Sequence, residues 1–139
     1  MAHWLYKSEP SVWSWDAQVA AGAEGTYWDG VRNPLANAHM KAMAVGDRGF
    51  FYHSNEGKAV VGVVEVTALW APDPNDAKGT FGAVRLKAVE ALPKPVTLAA
   101  IKADPRLAEM VLVKNSRLSV QPVADSEWEL VRALGGLAP

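Results

Sequence analysis

The chain has 139 residues, half of them apolar and 21% charged, which is enough for one domain with a real core and too little for two. Net charge is −1 with histidines neutral, and cysteine is absent. That excludes disulfides, thiolate zinc sites and a cysteine nucleophile, and it argues against a protein that grips duplex nucleic acid along its backbone.

The elements follow in chain order. Leu5-Tyr6 opens a first strand. Ser14 caps a short helix through Asp16 to Ala21, with Asp16 in the first turn where the helix dipole favours a carboxylate and Gly22 as the stop. Asn33-Pro34 starts a second helix, with Asn at the cap and Pro at the first helical position. Ala36, Met40 and Met43 share one face of it, and Gly46 ends it. Phe50 to Ser54 is a strand, Asn55-Glu56-Gly57 a turn, and Ala59 to Thr67 the partner strand. Pro72 to Asp76 reads as an exposed, turn-rich loop. Val84, Leu86 and Ala88 alternate with Arg85 and Lys87, the period of a half-buried strand.

Thr97 caps a helical segment carrying Leu98 and Ile101, broken near Pro105. Arg117 to Gln121 is a last strand closed by Pro122. A C-terminal helix is expected from about Ser126, whose spacing to Glu129 fits a capping box, to Gly135-Gly136. The whole is an α+β domain on a small β-barrel or curved mixed sheet surrounded by short helices. The longest apolar run, Ala59 to Val64, is far short of the roughly 20 residues of a membrane span. Met1 to Lys7 lacks the features of a signal peptide. A cytoplasmic monomer is expected, with no membrane partner, no metal and no cofactor.

Four segments are polar and aromatic at element edges, where loops positioned by a scaffold carry function. They are Lys7-Ser8-Glu9-Pro10, Trp28-Asp29-Gly30-Val31-Arg32-Asn33, Phe51-Tyr52-His53-Ser54-Asn55 and Arg117-Leu118-Ser119-Val120-Gln121-Pro122. Six tryptophans are present and four fall in the first 28 positions.

KSEP, WDGVRN, GD followed by FYHSN, VVGVVEV, the PDP turn and RLSVQP occur in the order of the EVE domain and cover nearly the whole chain. The sequence therefore resembles an EVE domain. The resemblance implies a PUA-like fold, similar to the YTH domain that reads methylated adenine in RNA and more distantly to ASCH domains. It also implies a non-catalytic reader of modified bases in DNA or RNA. One departure stands out. Many EVE domains carry an aromatic-Gln-Ala-Arg-Asn run after WDGVRN, whereas Pro34-Leu35-Ala36-Asn37-Ala38 stands here. Asn37 replaces an arginine that could reach backbone phosphate, which would weaken the rim for nucleic acid.

The residue chemistry is compatible with that function. A base taken out of its stack needs aromatic faces plus donors and acceptors for its edge. Trp28 is the expected cage wall, matching the cage tryptophan of YTH domains, beside Asp29 and Gly30, where glycine lets backbone approach a ligand. Trp4, Trp13, Trp15, Trp70 and Trp128 read as packing residues. Ser8, Asn33, Ser54 and Ser119 offer polar groups, Asn33 doubling as a helix cap. Tyr52 and His53 alternate along a strand, so only one should face the pocket, and the sequence leaves open which. Lys7, Arg32, Lys114 and Arg117 are candidate phosphate ligands, with internal ion pairs as the alternative for Lys7 and Arg32.

Two other functions stay open. A small ASCH-like amidohydrolase acting on a nucleoside would cast Lys7 with Glu9, or His53 with Glu65, as acid and base. A protein-interaction module with a vestigial pocket would tolerate the Pro34 to Ala38 departure. The histidines show no metal-binding spacing, and there is neither a Gly-x-Ser-x-Gly elbow nor a phosphate loop.

Overall fold

Each strand of the sheet lies where the apolar pattern can be covered, and together the strands form a curved mixed sheet. The structure, a computed structural model, describes residues 2–137. Six strands run β1 (His3–Ser8), β2 (Thr26–Tyr27), β3 (Arg48–His53), β4 (Ala59–Pro72), β5 (Gly82–Thr97) and β6 (Val120–Val123). Five α-helices surround them: α1 (Trp15–Ala20), α2 (Pro34–Lys41), α3 (Leu98–Ala103), α4 (Val111–Lys114) and α5 (Asp125–Leu134).

The spatial order is β2-β5-β4-β3-β1-β6. All neighbours are antiparallel except β1 and β3, whose parallel pairing sets Leu5 beside Phe50. The expected α+β, PUA-like architecture is present as an open curved sheet; the barrel does not close.

β3 runs through the middle with both faces covered. Phe51 packs with Tyr6, Val64, Leu86 and Trp28 under Ala36 and Met40 of α2. Phe50 and Tyr52 point to the opposite layer, with Val63, Ile101 and Trp128. Gly62 of β4 is required by a close approach: a Cβ there would lie 2.3 Å from the Trp15 ring. Trp15 in turn meets Phe51 edge-on at 5.4 Å.

Three helix starts follow the sequence closely. Ser14, Asn33 and Thr97 each accept the backbone N–H three residues on, at 3.1, 3.0 and 3.1 Å. Elsewhere the boundaries shift. α2 stops at Lys41, short of Gly46, although Met43 still packs into the same core. The last strand begins at Val120, and Pro122 lies inside it, paired with Trp4. Pro is tolerated there because β6 is an edge strand. α5 begins at Asp125, and Glu127 rather than Glu129 reaches back to the Ala124 N–H at 2.9 Å. In the 72–76 loop Pro72, Pro74 and Asn75 are exposed as expected, but Asp73 is only 2% exposed.

Candidate functional site

The two edges of the open sheet approach each other beside β1, and the gap between them holds a cavity of about 900 Å³. One wall comes from the end of β1 and the loop after it, Lys7 to Glu9 with Val12 and Trp13. The opposite wall is β2 and the segment leading into α2, Thr26 to Pro34. Ser119, just before β6, completes the lining. Four sequence segments far apart in the chain were expected to meet, and three of them do.

Trp28 is 7% exposed and sits against Tyr6 and Phe51, edge-to-face at 5.6 Å from each. Its backbone N–H extends the β2–β5 ladder to the Val84 carbonyl at 2.9 Å. The indole N–H groups of Trp4, Trp13 and Trp70 donate to Asp47, Gln18 and Asn37. That of Trp28 donates to none of the described residues. Trp28 therefore combines a core position with an uncommitted donor at a cavity wall.

The 29–32 segment is held by Asp73. The Asp73 carboxylate accepts from the Gly30 N–H at 3.0 Å, from Arg32 Nη1 at 3.0 Å and from the Asn75 N–H at 2.8 Å. Its side chain is fully buried. These bonds, the Gly30 N–H foremost, hold the carboxyl below its ordinary range. Gly30 has φ +77, a region where a side chain is strained, and the space above it is open. The other wall is braced as well. Ser8 Oγ donates to the Trp13 carbonyl at 2.5 Å, and the Val12 and Trp13 N–H groups both donate to the Glu9 carbonyl at 2.9 Å.

The polar groups differ in what they leave free. The Ser8 hydroxyl proton is engaged, so only its lone pairs can meet a ligand. Asn33 uses its carbonyl oxygen as the α2 cap, which leaves its NH₂ to face outward. Asp29 is exposed at the rim. Lys7 Nζ donates to the Ser116 carbonyl at 2.7 Å, and burial draws its pKa below the ordinary value. Arg32 is ion-paired with Asp73. The internal-pair alternative thus describes Arg32, and Lys7 is tied to a backbone oxygen rather than to Glu9.

Several expected residues lie elsewhere. Tyr52 is buried in the second core layer, and His53 accepts the Trp15 N–H on Nε2 at 3.0 Å. Neither lines the cavity, because the central strand β3 is covered on both faces. Ser54 donates its N–H to the Ser8 carbonyl and also lies outside the lining. Lys114 pairs with Glu109, and Arg117 is exposed; neither reaches the lining. Asn37 is no rim residue either. It is 4% exposed, donates to the Gly82 carbonyl at 3.2 Å and accepts from Trp70 at 2.9 Å.

Sequence reasoning missed Val12, Trp13, Thr26 and Tyr27. The two-residue β2 was too short to show a period, and Trp13 stood three positions beyond the KSEP run. Of the two hydrolase pairings, Lys7 and Glu9 both line the cavity, whereas His53 and Glu65 lie apart. Glu65 pairs with Arg48 at the far end of β3 from His53, roughly 16 Å away at strand rise. No histidine lines the cavity. Among the described residues no cluster of His, Asp or Glu could hold a metal ion.

Residues 2–134 match the EVE domain. The chain belongs to the EVE domain family. This EVE domain is 60% identical to Rpa0253 from Rhodopseudomonas palustris, with a TM-score of 0.95 over 100% of this chain and 96% of that one. It is similar to human THYN1 protein in complex with 5-methylcytosine-containing DNA, at 28% identity and TM-score 0.87 over the whole of both chains. Thymocyte nuclear protein 1 from Homo sapiens is 28% identical, over 96% of this EVE domain and 73% of the relative.

Proposed function

We propose that this EVE domain is a non-catalytic DNA-binding module that holds one modified base, flipped out of its stack, in the cavity beside Trp28. The observation that carries the proposal is the uncommitted Trp28 indole N–H on a cavity wall braced from both sides. The Trp28 ring supplies a hydrophobic surface and the indole a donor for a base edge. The Asn33 NH₂ adds a second donor, and Ser8 and Ser119 add acceptors. DNA with a methylated cytosine is the favoured partner, since a similar fold binds 5-methylcytosine-containing DNA. The net charge of −1 fits a local contact with few phosphates.

The test is titration of a short duplex carrying a single 5-methylcytosine against the same duplex with cytosine, each across a salt series. The expected result is tighter binding to the modified duplex with a shallow salt slope. Equal affinity for both duplexes, with a steep slope, would mean that the protein grips backbone and that the cavity is not the binding site.

A further inference from the structure

The edge of the cavity carries a guanidinium with no carboxylate partner among the described residues. Arg85 of β5 lies directly across from Tyr27 of β2. Its guanidinium carbon sits 4.5 Å from the centre of the Tyr27 ring. Tyr27 is half exposed and lines the cavity next to Trp28. Because side chains alternate along β2, Trp28 turns toward the core while Tyr27 and its stacked arginine stand on the outer side of the same wall.

Several other basic groups of the chain are committed. Lys87, two positions along the same strand face, pairs with Glu65 at 3.6 Å, and Arg48 pairs with the same carboxylate at 3.3 Å. Arg32 is held by Asp73, and Lys114 by Glu109. Among the described residues Arg85 has no carboxylate partner, and its buried Nε–H has no acceptor. A buried donor without a partner is uncommon and costly, and no internal group offsets that cost here.

We infer that Arg85, held over the Tyr27 ring, is a phosphate ligand at the cavity rim, contacting the DNA backbone beside the flipped base. A planar guanidinium fixed by stacking presents its N–H groups as a fork, which matches two phosphate oxygens at once. The contact with Tyr27 removes part of the freedom that such a long side chain would otherwise lose on binding. This assignment rests on the cavity being the base site, and it supplies what the neutral overall charge leaves open, namely which cation meets the backbone.

The experiment compares wild type, R85Q and R85K on three probes: a duplex with one 5-methylcytosine, the unmodified duplex, and the free nucleoside 5-methyl-2′-deoxycytidine. R85Q is expected to weaken both duplexes by about ten-fold. It should also make the slope of log K against log salt shallower by about 0.9, the value of one phosphate on duplex DNA. Nucleoside affinity should not change. R85K should retain the slope, because the charge stays, while losing part of the affinity with the fork. An unchanged slope in R85Q, or a parallel loss of nucleoside binding, would overturn the assignment. Slope loss in R85Q from a wild type that ignores the methyl group would leave Arg85 a phosphate ligand and remove the base-reading function. A wild type that binds no duplex would remove both.

Discussion

Asp73 and Gly30, 43 residues apart in sequence, are joined by a 3.0 Å hydrogen bond from the Gly30 N–H to the buried carboxylate. The tip of the β4–β5 hairpin thereby fixes the segment that carries the cavity wall. The bonds to Asp73 hold its carboxyl below the ordinary value of about 3.9. Folding therefore favours the charged form. That stabilisation is complete above the ordinary value and is lost as pH falls through the lower, folded-state value. Asp73→Asn should lower stability at neutral pH by about 1–3 kcal/mol, and the gap from wild type should close in strong acid. Urea unfolding at neutral pH and again near pH ~3 checks this. A gap of constant size would assign the effect to shape rather than charge.

Trp28 serves the core and the cavity together, so its alanine variant confounds the two. Trp28→Ala is expected to cost about 3–5 kcal/mol of stability through the lost packing on Tyr6 and Phe51. Trp28→Phe keeps a ring in place and removes the N–H. It should stay folded and bind 5-methyl-2′-deoxycytidine more weakly, by about 1 kcal/mol. Calorimetry alongside thermal melting separates the two effects. Undiminished binding in Trp28→Phe would show that the indole N–H meets no base.

His53 is a structural acceptor, and protonation of Nε2 would set a proton against the Trp15 N–H. Burial lowers its pKa, with a smaller opposing pull from Asp16. The folded state thus binds the proton less well than the unfolded chain. Its contribution to stability is full above about pH 6.5 and is lost as pH falls toward the folded-state value. Imidazole titration followed by NMR should place His53 below the ordinary value, together with His39, which burial also lowers. A His53 titrating above that value would mean that Asp16 outweighs burial.

Restoring the arginine found in many EVE domains at position 37 should not help. Asn37 accepts the Trp70 indole proton in a buried site, and arginine has no acceptor to offer. Asn37→Arg is expected to lower the melting temperature, costing about 1–3 kcal/mol, with no steeper salt dependence for DNA. An intact melting temperature with a steeper slope would place this side chain at the rim after all.

What the sequence revealed was mostly local. The caps at Ser14, Asn33 and Thr97 reach only three residues, so type and spacing suffice to read them. The cavity wall from Trp28 to Asn33 was legible because its polar run follows a tryptophan directly. Tertiary pairing was not legible. Asp73 between two prolines looks like a solvent turn until Gly30 and Arg32 arrive from 43 and 41 residues away. Tyr52 and His53 were misplaced because strand alternation alone does not tell that both faces of β3 are covered. The unbroken buried run Gly49 to Tyr52 was the available clue.

The sheet's failure to close has a consequence for aggregation. An open sheet normally leaves two edges on which a second chain can add a strand. Here one edge is β2, two residues long, and the other is β6, where Pro122 has no N–H to offer an incoming strand. At these two strands the fold keeps a gap wide enough for a ligand while offering an incoming chain little to pair with.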